Sequence, residues 1–162
     1  MSIVVRSAVP ADCPHLVDLV RELAAYEQAA DQVSLTADSF AESLFAPNPR
    51  VFAHVAELDG QVVGMVVWFL TYSTWRGCHG IWVEDLIVTT PARGRGVGRA
   101  LLAQLAGLAE AAGYARVEWA VLDWNDPAIG FYRHLGAEAM DEWTNYRLTG
   151  EALAALAAPG EG

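Results

Sequence analysis

A chain of 162 residues that is 54% apolar and 19% charged is long enough to bury a full core, and its composition excludes the disordered and low-complexity classes. Twenty acidic against ten basic side chains leave a net charge of −10, which repels nucleic acid and anionic membrane and favours a cationic partner. An anionic ligand therefore needs locally concentrated arginines, and one domain spanning residues 1–162 is expected.

Residues 3–7 read as a short strand. Asp12 is placed to cap a helix, with Pro14 in its first turn and Leu16, Val20 and Leu23 on one face. Residues 26–35 read as a loop. Thr36 can cap a second helix carrying Phe40 and Leu44, which ends before Ala46-Pro47-Asn48-Pro49. Residues 51–57 and 62–70 are β-rich and flank Asp59-Gly60, a hairpin signal that predicts an antiparallel pair. Residues 71–80 read as a polar connection, and 81–88 as a third strand.

That third strand delivers the chain into Arg93-Gly94-Arg95-Gly96-Val97-Gly98-Arg99 and then into a helix carrying Val97, Leu101, Leu105 and Leu108, closed by Gly113. Residues 117–122 follow as a buried strand, so the strand–helix–strand unit predicts a right-handed parallel crossover. Asn125-Asp126-Pro127 opens a short helix that Arg133, His134 and Gly136 close. Residues 143–148 read as a last strand and 151–157 as an Ala-rich helix.

Cys13 and Cys78 are too few for a disulfide framework and lack metal-ligand spacing, as do His15, His54, His79 and His134, so no metal is expected. The N-terminus shows no secretory pattern, and no apolar run approaches membrane-spanning length, so a cytoplasmic protein is expected.

The glycine segment has the properties of a phosphate cradle at a helix start. Glycines let backbone N–H groups close around an anion, and the helix dipole adds positive potential there. A nucleotide-triphosphate loop needs Gly-Lys-Ser/Thr after its spacer, and none is present; a dinucleotide loop needs a third glycine where Arg99 or Leu101 stands. The pattern that fits is Arg-x-x-Gly-x-Gly, at Arg93, Gly96 and Gly98.

With that motif the chain resembles the GNAT N-acetyltransferase superfamily, and within it most nearly the diamine (spermidine/spermine) acetyltransferases. The resemblance runs along nearly the whole chain through Ala11-Asp12-Cys13, Glu22-Leu23-Ala24-Ala25-Tyr26-Glu27, Thr71-Tyr72, Val83-Glu84-Asp85-Leu86, Trp124-Asn125 and Phe131-Tyr132. It implies an α/β (α+β) fold with a mixed, mostly antiparallel sheet of six to seven strands, a parallel pair splayed for CoA, and four to five flanking helices. It also implies acetyl-CoA as co-substrate and a homodimer.

An alkylammonium with pKa about 10.4 is a nucleophile only after losing a proton. A carboxylate can take that proton and hold the cation beforehand, and Glu84 and Asp85 are the candidates. Strand neighbours face opposite sides unless a bulge intervenes, so one of the two is expected at a given cleft; Glu84 is preferred as base, in keeping with the family. By resemblance Tyr132 is the general acid toward the CoA thiolate, and a backbone N–H near Leu86 polarises the thioester carbonyl. Leu86, Ile87 and Val88 then pair with the pantetheine arm, Arg93, Gly94, Arg95, Gly96, Val97, Gly98 and Arg99 hold the pyrophosphate, and Asn125, Asp126, Pro127 and Ala128 contact the cofactor again.

Tyr26, Glu27, Glu84, Asp85 and Glu118 line the site of a small cationic amine on the same resemblance. Ser73-Thr74-Trp75 stands where the polyamine enzymes tend to have Asp-Pro-Trp, and Thr144 and Tyr146 replace acidic and tryptophan positions. Those departures thin the acidic groove and favour a diamine or a lysine analogue such as thialysine. Two readings stand beside this one: an acetyltransferase for a protein N-terminus, amino acid or drug amine, and a non-catalytic acyl-CoA-binding module.

Overall fold

Asp59 and Gly60 take positive φ angles of 52° and 82° and turn β2 (Phe52–Leu58) back onto β3 (Gln61–Ser73), as the Asp-Gly pair predicts. These strands lie within a five-stranded sheet of order β1-β2-β3-β4-β5, with β1 at Ile3–Ser7, β4 at Cys78–Val88 and β5 at Val117–Trp119. The first three pairings are antiparallel, and β4 with β5 is parallel. The computed structural model describes residues 2–158, and the chain divides after Leu122 into two compact units. No helix among the described residues is long and apolar enough to cross a membrane.

In the first unit, α1 (Cys13–Tyr26) and α2 (Ala37–Phe45) bury Cys13, Leu16, Val17, Leu19, Phe40 and Leu44 against Val55, Met65, Val67 and Ile87 of the sheet. Each fully buried Leu or Val contributes about 2 kcal/mol of transfer free energy. Thr36 caps α2 as expected, its Oγ1 accepting from Ser39 N at 3.1 Å. Asp12 precedes α1 without capping it. Its carboxylate accepts from both terminal Arg6 guanidinium nitrogens, at 2.8 and 3.0 Å, and from Val9 N at 2.8 Å, which holds it below the usual carboxylate range.

The crossover helix α3 (Val97–Ala112) buries Val97, Leu101, Leu102, Leu105 and Ala109 and ends at Gly113, φ 69°. Gly64 and Met65 are strand neighbours and face opposite sides of the sheet. Met65 joins the core under α1 and α2, while a Cβ on Gly64 would lie 3.1 Å from Val97 Cγ1 and 2.9 Å from the Ile87 carbonyl oxygen. The sheet is therefore covered on both faces, and α3 seats where a side chain is missing. Gly64→Ala is expected to lower stability by about 1–3 kcal/mol, because backbone oxygen and a buried helix must both give way; urea denaturation measures it.

Among the described residues the sheet has five strands rather than six to seven. In the second unit α4 (Asp126–His134) and α5 (Gly150–Ala157) form as expected, Asn125 Oδ1 accepting from Ala128 N at 3.4 Å, but residues 143–148 are not a strand. Among the described residues that segment meets no second strand within its unit, and Trp143 and Tyr146 stand 69% and 95% exposed. Extended backbone becomes sheet only when a neighbour takes its hydrogen bonds.

Residues 71–80 are largely strand instead of a connection. β3 runs to Ser73 and β4 starts at Cys78, leaving a turn at 74–77 with Gly77 at φ 64°. Cross-strand packing overrides the polar composition there: Tyr72 faces His79 with ring centroids 5.2 Å apart, and His79 Nδ1 lies 3.0 Å from the Thr71 carbonyl. β5 stops at Trp119, three residues short of the expected end.

Candidate active site

The reason β5 stops lies in β4. Adjacent β3 residues Val67 and Trp68 face Asp85 and Val83, so Glu84 is one residue too many for its partner strand and forms a bulge. β5 pairs with β4 only through Ile81, Trp82 and Val83. From Glu84 onward β4 keeps β3 on one side, with Leu86 opposite Val66, Ile87 opposite Met65 and Val88 opposite Gly64. Among the described residues no strand lies on the other side, so this edge can take an extended, amide-bearing ligand.

The strict alternation of strand neighbours fails at the bulge, so the period-two rule does not assign Glu84 and Asp85 to opposite faces. Glu84 is exposed and accepts a hydrogen bond from Trp82 Nε1 at 3.2 Å. Asp85 is partly buried, and its pKa is pushed from 3.8 to about 6, first by desolvation and then by the charges of Glu84 and Glu27. Glu27 is the residue on which α1 ends, so the end of that helix and the β4 bulge are brought together. Beside Glu27, the Tyr26 ring lies 5.8 Å from the Arg93 guanidinium, and Arg93 Nε donates to the Val88 carbonyl at 3.1 Å.

The charges of Glu84 and Glu27 both act on Asp85, and a cation placed among such carboxylates offsets that effect. Glu118 stands opposite Trp82 on β5 with its charge matched by Arg116, 3.0 Å away. Because the folded pKa of Asp85 lies above its ordinary value, its contribution to stability is fully present below about pH 4 and is lost as pH rises through about 6. Asp85→Asn is therefore expected to be more stable than the parent at pH 8, by about 2–3 kcal/mol before solvent screening, with the difference vanishing below pH 4. Urea midpoints across that range test the sign.

After Val88 a short 3-10 turn, Thr90–Ala92, leads into the glycine segment. Gly94 and Gly96 take φ angles of 73° and 86°, a region that side chains disfavour, and Gly96 caps α3 with no side chain accepting from the helix. The first helical bond is Ala100 N to Gly96 O, 3.0 Å, which leaves the N–H groups of Val97, Gly98 and Arg99 outside the helical ladder. Arg93, Arg95 and Arg99 are exposed around them. Free amides, positive potential and arginines suit a diphosphate.

In the second unit Asn125, Asp126, Pro127 and Ala128 form the start of α4, and Tyr132 lies on the same helix, its ring 5.4 Å from that of Phe131. The bulge, the influence of Glu27 on Asp85 and the Tyr26–Arg93 contact were not foreseen from the sequence. Each depends on strand register or helix packing.

The family model described as the acetyltransferase (GNAT) family matches residues 16–137. The chain belongs to the GNAT acetyltransferase family. A thialysine N-epsilon-acetyltransferase from Sus scrofa is 35% identical, covering 96% of this chain and 98% of the relative. The L-ornithine N5-acetyltransferase NATA1 of Arabidopsis thaliana is 29% identical over 94% of this chain and 86% of its own. Among solved structures, an integron cassette protein from V. cholerae superposes with a TM-score of 0.80 at 26% identity, covering 98% of this chain and 99% of that one. The sheet, open β4 edge and helix order are those of a GNAT fold, and the protein is an acetyl-CoA-dependent N-acetyltransferase acting on an amine. The residues present fit that co-substrate: left-handed glycines and unladdered amides occur at the one loop where the family motif falls.

Proposed function

We propose that this GNAT enzyme acetylates a primary amine of a small cationic molecule, a diamine, polyamine or lysine analogue such as thialysine, by direct attack. The observation that carries the reading is the group of Glu27, Glu84 and Asp85 at the β4 bulge, where burial first, and then the charges of Glu84 and Glu27, raise Asp85 to about 6. The relatives that act on thialysine and ornithine support it.

When bound, acetyl-CoA supplies an acyl group already activated as a thioester. Asp85, Glu27 and Tyr26 hold the ammonium, and Glu118 adds a further carboxylate on β5. Glu84 takes the proton, directly or through one water, so that the amine nitrogen can attack; a backbone N–H near Leu86 donates to the oxygen that gains charge. Leu86, Ile87 and Val88 offer the open strand edge to the pantetheine arm, and residues 93–99 hold the diphosphate. The roles of Tyr132 as proton donor to the departing thiolate, and of Asn125, Asp126, Pro127 and Ala128 as coenzyme contacts, rest on the family resemblance. So does a homodimer, whereas a cytoplasmic location is proposed from the sequence pattern alone. That both units serve one acetyltransferase domain is supported by the family match, which spans 16–137.

Steady-state acetylation of putrescine, spermidine, ornithine, lysine and thialysine tests this reading. We expect kcat/KM to rank the short diamines and lysine analogues above spermidine, because Ser73 and Thr144 replace acidic positions. Turnover of a neutral or anionic amine with the highest kcat/KM would sink it.

A further inference from the structure

Away from the β4 bulge, His54 is the one buried polar side chain recorded among the described residues, 8% exposed. Trp68 Nε1–H donates to its Nδ1 at 3.1 Å. A ring nitrogen that accepts carries no proton, so the neutral imidazole bears its hydrogen on Nε2. Burial lowers the imidazole pKa and keeps it in that neutral form at pH 7. Among the described residues the protein supplies no acceptor to Nε2–H, and the atom is not sealed from its surroundings. His54 forms part of the wall of a pocket of about 300 Å³.

The rest of that wall is apolar apart from the Ser7 hydroxyl: Leu44, Phe52, Ala53, Trp68 and Leu108 line it, and none of its residues is charged. Phe52 and Trp68 stack with centroids 4.6 Å apart and an interplanar angle of 26°, giving the pocket a flat aromatic side. The volume lies at the lower end for small-molecule sites. Its walls give water few partners, and a carboxylate inside would have no countercharge. We propose that this pocket binds a small, neutral aromatic molecule whose single acceptor oxygen takes the Nε2–H of His54. The site shares no residue with the acetyl-transfer machinery, so its fate is independent of the substrate assignment.

Calorimetric titration with acetophenone, ethylbenzene and benzoate tests the three parts of the proposal. Acetophenone should bind saturably; ethylbenzene, which lacks the oxygen, should bind about tenfold more weakly, and benzoate should not bind. His54→Phe should weaken acetophenone to the level of ethylbenzene, and Leu108→Trp, which fills the pocket, should abolish binding while amine acetylation continues. If His54→Phe does not fold, the acetophenone–ethylbenzene ratio on the parent protein carries the same information. No saturable binding to folded protein, equal affinity for acetophenone and ethylbenzene, tight benzoate binding, or binding that survives Leu108→Trp each overturns the proposal.

Discussion

Glu84→Gln is expected to lower kcat/KM for the preferred amine by about 10²–10³-fold, the usual contribution of a positioned general base. Deprotonating an alkylammonium at pH 7 costs about 4–5 kcal/mol, so a group that accepts the proton during attack has much to offer. Affinity for acetyl-CoA should be unchanged, because the glycine loop is untouched. The pH profile separates this role from a structural one. Since the Glu84 charge helps to raise Asp85, removing it should move the acid limb of kcat/KM to lower pH, whereas a lost strand contact would leave the limb in place. Asp85→Asn should act mainly through KM for the amine, by loss of the buried partner for the ammonium. If Asp85→Asn instead abolishes kcat while Glu84→Gln is nearly silent, the two carboxylates have exchanged roles, and the partly buried group with pKa about 6 is the base.

The difference between those outcomes turns on a feature the sequence does not carry. Glu84 and Asp85 are adjacent, and the period-two rule assigns them to opposite faces; only the register of β3, with Val67 and Trp68 opposite Asp85 and Val83, reveals the extra residue. The bulge and the end of β5 are therefore one event, invisible to local pattern because it needs the neighbouring strand. Glu27 was assigned to the amine site by resemblance alone, and its effect on Asp85 depends on where α1 packs. By contrast the Asp59-Gly60 turn, the Thr36 cap and the glycines before α3 were readable at once, because each residue type satisfies a backbone demand within a few positions. Residues 143–148 show the opposite failure. Trp143, Thr144 and Tyr146 are residue types that strands favour, yet a strand exists only by virtue of a partner, and composition cannot report one.

Gly96→Ala is the second large effect, and its expected signature is loss of acetyl-CoA affinity by about tenfold or more in a protein that still folds, consistent with about 1–2 kcal/mol of left-handed strain. The methyl group itself has room, since its nearest neighbour would be Ile3 Cδ1 at an ordinary 3.8 Å. The damage comes from φ 86°: an alanine draws the backbone out of that region, and the amides of Val97, Gly98 and Arg99 turn with it. Gly107 provides the contrast on the same helix. It has helical geometry and open space around the would-be Cβ, so Gly107→Ala should raise stability by about 0.5–1 kcal/mol and leave acetyl-CoA binding alone. The same substitution eleven residues apart would then move two different observables, coenzyme affinity at one position and the urea midpoint at the other. Calorimetry showing wild-type affinity in Gly96→Ala would mean that the coenzyme diphosphate is held elsewhere, and the assignment of residues 93–99 would fall with it.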